Sequence, residues 1–588
     1  MPDISLTAVL YIDLTTKSFN IEQRPDIFFD GFGGASAAIK LLEAHCPAGC
    51  DPLGPDNPII LAVGPFTSLL PLASKTVAMF KSPHTGNLGE SHCGGRSAVS
   101  IRMAGYGAIV ITGASDIPVY IVVEGSKVFF RDATTLWGMS NNTTAGKIIR
   151  MKESGSGMRT IMRIGKAGEQ LVSYACVTTE TFRHFGRLGL GAVFGSKKLK
   201  ALVVSGSASF ELPDTKGYKT LYDEVYKAAV ESPVMKKYHE LGTAENVLPL
   251  NKLGGLPVKN LTANRSDDVN EISGESLAEH FLGRRLACTH CPVACIHIAA
   301  LRELYDDEPY FYKTTMVSYD HELIYAAGSM LGVTKAQDLL KLLDAIESWG
   351  MDIMSAGVVL AWMTEAFERG LITTTQTLDM NPAWGDVPAY MKILKLIVAQ
   401  SNDFYKACAK GVRAAADQFG GKDYAMQFGG NEMPGYHAGP ATHIGYAAGL
   451  RHSHLDNAGY SVDQKMLTEG MLPPEKLADK IITEECWRQV LSSLTICFFA
   501  RNLYTADVII RTFAVLGITV TEESLKKLGV DIYRQKLRFK KNNGWSLEPD
   551  ALPKRIFETD SPHGKIDPAY VRETMEIIRK KQEEMLSS

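Results

Sequence analysis

Three cysteines fall within eight residues, in the run Ala287-Cys288-Thr289-His290-Cys291-Pro292-Val293-Ala294-Cys295. The spacing is C-x2-C-x3-C. Thiolates held this close repel one another and oxidise easily, so a metal is the usual reason to keep them together. Three sulfurs leave a tetrahedral ion or a cubane cluster one ligand short. The fourth candidate, Cys497, lies far downstream in the apolar run Leu494-Thr495-Ile496-Cys497-Phe498-Phe499. A fold that uses all four must bring residue 497 back to the loop at 288–295. This pattern suits a [4Fe–4S] cluster, with Pro292 stiffening the loop. A structural zinc on the same thiols with His290 or His297 is the competing reading. Unligated core cysteines are a third, although such cysteines rarely cluster.

The chain has 588 residues, more than one core holds, so two to four domains are expected. Hydrophobic content of 45% and charged content of 22% are those of a globular protein. A net charge of -3 argues against nucleic-acid binding through bulk electrostatics. The basic run Arg538-Phe539-Lys540-Lys541 reads as a solvated face. No secretory signal and no membrane-spanning run is expected. Ten cysteines with one tight cluster do not make a disulfide framework, so the expected compartment is a reducing cytoplasm.

Residues 1–208 read as strand-rich and punctuated by glycine. Val9–Thr15, Ile59–Pro65 and Gly107–Gly113 are predicted strands. Val119–Val123 and Val128–Arg131 alternate across Glu124-Gly125-Ser126-Lys127 as a hairpin. A helix is predicted to open at Phe29-Asp30-Gly31-Phe32-Gly33-Gly34-Ala35. No G-x-G-x-x-G follows a strand, which argues against a dinucleotide fold. From 209 the spacing turns helical, at Lys219–Lys237, Leu339–Trp349, Met354–Arg369, Met391–Gln400 and Phe404–Phe419. A second boundary is placed near 420, with 421–588 mostly helical and ending in Tyr570–Met585.

With the thiols in place, several blocks resemble the tungsten-containing aldehyde:ferredoxin oxidoreductase family. They are Lys81–Gly86, Gly94-Gly95, Ala104–Gly113, Ile164–Glu169, Gly186–Ala201 and Leu552-Pro553-Lys554-Arg555. The family implies an α+β fold: an N-terminal β-sheet base domain binding a metallopterin, then two mainly helical domains. It implies a tungsten (or molybdenum) bis-pyranopterin, a magnesium ion bridging the pterin phosphates, and a [4Fe–4S] cluster held by Cys288, Cys291, Cys295 and Cys497. The implied reaction oxidises an aldehyde to an acid, with electrons leaving to ferredoxin or a similar subunit.

Pterin phosphates need backbone N–H groups, cations and close approach, which glycine permits. Gly94, Gly95, Gly186, Gly189 and Gly191 suit that role, with Arg183, His184 and Arg187 beside them; turn formation is the alternative for each glycine. Lys75 stands where the family usually has arginine between pterin and cluster, and a lysine loses the planar fork. His92 falls where a backbone carbonyl helps hold magnesium. Glu347, in place of the usual aspartate, and Asp352 match one pterin-binding motif; solvated acids at a helix end are the alternative. The second motif, at Ser492–Cys497, lacks its aspartate and glycine, leaving Ser492 and Ile496 to supply weaker contacts.

Glu322 occupies the family's catalytic glutamate position, as proton acceptor. His454 best matches a histidine that polarises the reacting oxygen, with His452 as fallback. Some members bridge two subunits through a Glu-x-x-His metal site on a helix. Lys341-Leu342-Leu343-Asp344 cannot do this, so a homodimer or hetero-oligomer needs another interface. Two other readings stay open: a related tungstopterin reductase of an acid or aromatic thioester in a larger complex, and an electron-transfer paralogue that keeps only the cluster.

Overall fold

The computed structural model describes residues 6–29, 32–153, 155, 157–180, 182–305, 308–457 and 459–587. Two six-stranded mixed sheets fill the N-terminal third. The first is built from β1 (Ala8–Asp13), β2 (Ser18–Gln23), β3 (Ile59–Ala62), β4 (Thr76–Lys81), β5 (Leu88–Cys93) and β6 (Ala108–Thr112). Its order is β2-β1-β6-β3-β4-β5, with β1 and β6 parallel. The second comprises β7 (Val119–Glu124), β8 (Lys127–Asp132), β9 (Met158–Ile164), β10 (Val177–Thr178), β11 (His184–Phe185) and β12 (Leu199–Gly206). Its order is β11-β10-β9-β12-β7-β8. The predicted strands appear within a few residues of their expected ends. The predicted hairpin is β7–β8, closing with Glu124 opposite Lys127.

The two sheets share a core. Leu10, Ile12, Ile59, Leu61 and Ile109 of the first meet Val119, Ile121, Met162, Leu202 and Val204 of the second. β3 and β4 are buried along their whole length, so they lack the polar alternation of a solvent-facing strand. β4 and β5 were not predicted, because Thr76–Lys81 and Leu88–Cys93 carry no periodic signal of their own.

Beyond the sheets the chain is largely helical. The predicted segment 219–237 divides into Thr215–Glu231 and Pro233–Glu240, because Pro233 cannot extend a helix but starts one well. The segment 404–419 divides at Gly411 into Asp403–Cys408 and Val412–Phe419. The early helix runs Gly34–His45 after a short turn Pro25–Phe29; Asp30 and Gly31 lie outside the described residues.

One element was not foreseen and one expectation is corrected. The mainly helical region contains a three-stranded antiparallel sheet of β13 (Leu282–Leu286), β14 (Ile296–Tyr305) and β15 (Glu308–Tyr319). β14 starts directly after Cys295, and the outer end of the hairpin exposes Leu304, Tyr305, Tyr310, Phe311 and Tyr312. The basic run at 538–541 is not a solvated face throughout. Arg538 and Lys541 are exposed, but Lys540 is buried, donating to Leu450 C=O at 2.9 Å and lying 3.9 Å over the Trp545 ring. Among the described residues, no helix is long and apolar enough to cross a membrane.

Candidate metallocofactor site

Leu72 explains how residue 497 reaches the cysteine loop. Its N–H donates to His290 C=O at 3.0 Å, and its C=O accepts from Cys497 N–H at 2.9 Å. One residue of the 65–75 loop therefore ties both thiol-bearing segments together. Lys75 N–H donates to Thr495 C=O, and the Thr67 and Thr495 hydroxyls lie 2.9 Å apart. Leu72 takes a left-handed φ of 64°, as do His290 at 58° and Ala294 at 52° within the cysteine loop. Such non-glycine conformations cost on the order of 1 kcal/mol each, and surrounding hydrogen bonds must hold them.

All four thiols line one cavity of about 560 Å³. They are free and partly exposed to it. Burial pushes the Cys295 thiol up to about 11, with Arg183 and Lys75 pulling it down and the other sulfurs raising it. Burial, then Cys288, raises Cys291 too, with Cys295 and Cys497 adding to the effect. Buried thiols so coupled need a cationic guest to be held as thiolates. Among the described residues, no three His, Cys, Asp or Glu side chains close to the spacing of one shared ion. His297 is taken: its Nδ1 faces Cys295 C=O, and its Nε2 faces His239 and Glu240 C=O. The four thiols make a donor set for a sulfur-ligated metal centre that needs no histidine.

The same cavity is lined by Lys75, His92, Arg183, His184, Gly186, Arg187, Glu322, Glu347, Asp352, His454 and Ile496. Burial works against the Lys75 ammonium, yet Cys497, Cys288 and Cys295 hold its pKa above the ordinary value. Gly94 and Gly95 back onto the thiols instead. A Cβ on Gly94 would meet Cys288 Sγ at 2.8 Å and Lys75 Nζ at 3.2 Å, and Gly95 C=O accepts from Thr289 N–H. His92 Nε2 lies 2.7 Å from Glu90 Oε1, whose other oxygen accepts from Lys536 at 2.6 Å.

Besides Gly94 and Gly95, three more expected cofactor contacts do not line the cavity. Gly189 has φ 87°, and a Cβ there would lie 2.1 Å from Ser173 C=O. A Cβ on Gly191 would lie 2.5 Å from Cys176 C=O. Both glycines let the helix Leu190–Ser196 sit against residues 173–176. Ser492 is buried, and its carbonyl lies where a side chain on Gly34 would go. Gly186 differs: an added Cβ would meet only His184 Cβ at 3.9 Å, so no protein atom demands its bareness.

Asp352 caps the helix Ile353–Glu368, accepting from the Met354 and Ser355 N–H groups. It also accepts from Arg187 Nε at 3.0 Å. Ser355 Oγ lies 2.6 Å from both Asp352 Oδ2 and Glu432 Oε2. Glu432, missed in the sequence, is held down to about 2: burial opposes its charge, and His84, Ser355 and Val412 N–H outweigh that. Its carbonyl accepts from Arg187 Nη2 at 2.8 Å. Glu347 Oε1 lies 3.3 Å from His184 Nε2.

Glu322 and His454 meet across the cavity, with Oε1 and Nε2 3.5 Å apart. Glu322 Oε2 accepts from Gly435 N–H at 2.9 Å, and His321 Nε2 grips Gly435 C=O at 3.0 Å. Burial raises the Glu322 carboxyl to about 8 and lowers His454 to about 3. Both are therefore neutral near pH 7, and their contact is not an ion pair. His452, the fallback, is turned away: its Nδ1 faces Tyr446 C=O and its Nε2 faces Lys540 Nζ.

Four buried polar atoms of cavity residues have no hydrogen-bond partner in the protein: Arg183 Nε, Arg187 Nη1, Glu322 Oε1 and His454 Nδ1. Buried donors and acceptors are seldom left unpaired. Their concentration beside a sulfur-lined space fits a large polar cofactor, and Tyr436, Asn246 and Tyr460 complete the wall.

Family models match along the chain: the aldehyde ferredoxin oxidoreductase N-terminal domain over residues 9–206, and domains 2 and 3 over 220–587. The tungsten-containing aldehyde ferredoxin oxidoreductase of Thermococcus kodakarensis is 30% identical over 574 residues, covering 94% of this chain and 92% of that one. The Pyrococcus furiosus counterpart is 30% identical, covering 94% and 91%. An aliphatic sulfonate oxidoreductase WOR-like subunit from P. furiosus is 29% identical over 69% of this chain and 66% of its own length. Among solved structures, the BamBC active-site complex of benzoyl coenzyme A reductase with 1,5-dienoyl-CoA superposes with a TM-score of 0.77. It is 21% identical and covers 93% of this chain and 90% of that one, which shows the shared fold. The chain belongs to the aldehyde ferredoxin oxidoreductase family and is an enzyme of that type.

Proposed function

We propose that this enzyme oxidises an aldehyde to a carboxylic acid at a tungsten (or molybdenum) bis-pyranopterin and passes the electrons through a [4Fe–4S] cluster to a ferredoxin-like acceptor. The observation that carries this reading is the set of unpartnered buried polar atoms in the cavity that also gathers the four thiols. The names of the 30%-identical relatives support the metal and the substrate class.

The metallopterin, when bound, supplies the two-electron oxidant. Cys288, Cys291, Cys295 and Cys497 would hold the cluster. Arg183, Arg187 and the bare backbone at Gly186 would receive the pterin phosphates and their magnesium counter-ion, while Glu347 and the remaining lone pairs of Asp352 would accept ring N–H groups. Lys75 would place its charge beside the cluster.

The overall reaction is R–CHO + H₂O → R–COOH + 2 H⁺ + 2 e⁻. Glu322 takes one proton. It must first be ionised, so its raised pKa makes it a strong base once deprotonated and limits its availability at lower pH. A neutral His454 donates from one nitrogen only. With its proton on Nδ1, the donor lies on the unpartnered side, where an aldehyde carbonyl oxygen can accept it.

Metal analysis of anaerobically purified protein, together with aldehyde-dependent reduction of a low-potential dye, tests this. About one tungsten or molybdenum and about four irons per chain are expected, with dye reduction. Iron without the heavier metal favours the cluster-only reading. Both metals with turnover only toward an acid or thioester favour the reductase reading.

A further inference from the structure

Cys46 and Cys50 lie outside this cavity. Both are free, and their Sγ atoms are 3.4 Å apart. The helix Gly34–His45 ends at Cys46, whose N–H donates to Leu42 C=O. The chain then turns back. Cys50 N–H donates to Pro47 C=O at 3.2 Å, with Gly49 at φ 75°. Glycine takes that left-handed position without strain, so the turn brings the second thiol onto the first at little cost. Cys46 is buried and Cys50 partly exposed.

Two cations face this corner. Lys81 Nζ donates to Cys50 C=O at 2.7 Å. Lys197 Nζ is held by the carbonyls of Pro55 and Gly113, each at 2.9 Å. Burial and the adjacent Cys50 thiol raise Cys46 to about 12, while both lysines oppose that rise. The arrangement has a partly exposed entry thiol and a shielded partner in contact with it. Neither aldehyde oxidation nor cofactor binding uses it.

We propose that Cys46 and Cys50 form a reversible intramolecular disulfide, with the disulfide of a small thiol (RSSR) as oxidant. The Cys50 thiolate attacks one sulfur of RSSR, giving Cys50–S–S–R and releasing RS⁻. Cys46 then loses its proton and attacks Cys50 Sγ, closing the Cys46–Cys50 bond and expelling the second RS⁻. In total, two protein thiols and RSSR become one protein disulfide and two RSH. The protein gives up two electrons and two protons, and the small disulfide receives them.

Both cysteines fall on one tryptic peptide, between Lys40 and Lys75. Anaerobic holoenzyme is incubated with glutathione disulfide, then denatured, alkylated, digested and weighed. The peptide is expected unalkylated and lighter by two hydrogens, with alkylation of the pair reduced at least about tenfold and restored by dithiothreitol. Cys50→Ser should abolish the closure, leave Cys46 open to alkylation and leave aldehyde oxidation by the untreated enzyme unchanged. The proposal is overturned if both cysteines remain alkylatable, if glutathione stays on Cys50 without closure, or if either cysteine links elsewhere.

Discussion

At the scale of single residues, the site depends on two neutral groups 3.5 Å apart. With the Glu322 carboxyl at about 8, kcat/KM should rise with pH across that value, because the base form appears only as the proton leaves. A pH–rate profile flat through that region would remove Glu322 from the mechanism. Glu322→Gln should lower kcat by ~10²–10⁴ and leave metal content intact. Two glycines make a second test. Gly189→Ala forces a Cβ against Ser173 C=O at a left-handed φ and should destabilise the fold by about 2–4 kcal/mol, read by denaturant unfolding. Gly186→Ala has room in the protein itself, so its unfolding should be unchanged while molybdopterin content of the purified enzyme falls. In the sequence these two glycines look alike. Only their neighbours separate them, because what a missing side chain admits depends on the atom opposite.

At the scale of elements, Leu72 joins loop to loop through its backbone alone. Leu72→Pro removes the N–H that meets His290, so iron per chain should drop by more than about half, since the loop carrying Cys288, Cys291 and Cys295 loses that anchor. Retention of full iron would show that packing of Val293 suffices to hold this loop. Backbone hydrogen bonds are made by every residue type, which is why Leu72 was invisible in the sequence while the cysteines it positions were plain. The hairpin β14–β15 was missed for a related reason. It leads away from the cysteine loop inside a stretch whose flanking elements are helical, and its register is set by pairing across the turn.

At the scale of the whole molecule, the cavity is walled by residues from Leu72 to Arg501, so cofactor and fold are thermodynamically linked. The cofactor-free chain should unfold at least ~5 °C below the loaded enzyme in calorimetry, because the guests bind only the folded state. Lys75 acts at the same scale, as a buried charge shared by thiols from distant segments. Lys75→Gln should shift the cluster potential negative, since a nearby cation favours the more negatively charged reduced form. A redox titration followed by electron paramagnetic resonance reads that shift.

The residues themselves determined the clustered thiols, the coarse order of a sheet-rich part before a mainly helical one, and the family to which the chain belongs. These follow from chemistry carried by single side chains and from short-range periodicity. Tertiary structure alone decided that His454 and not His452 faces Glu322, and that Gly189 and Gly191 serve packing while Gly186 borders open space. It also placed Lys540 in the interior and set two further thiols, Cys46 and Cys50, in contact. Each of those outcomes depends on which surfaces meet across hundreds of residues, and burial, backbone hydrogen bonding and close packing settle that only once the whole chain has closed.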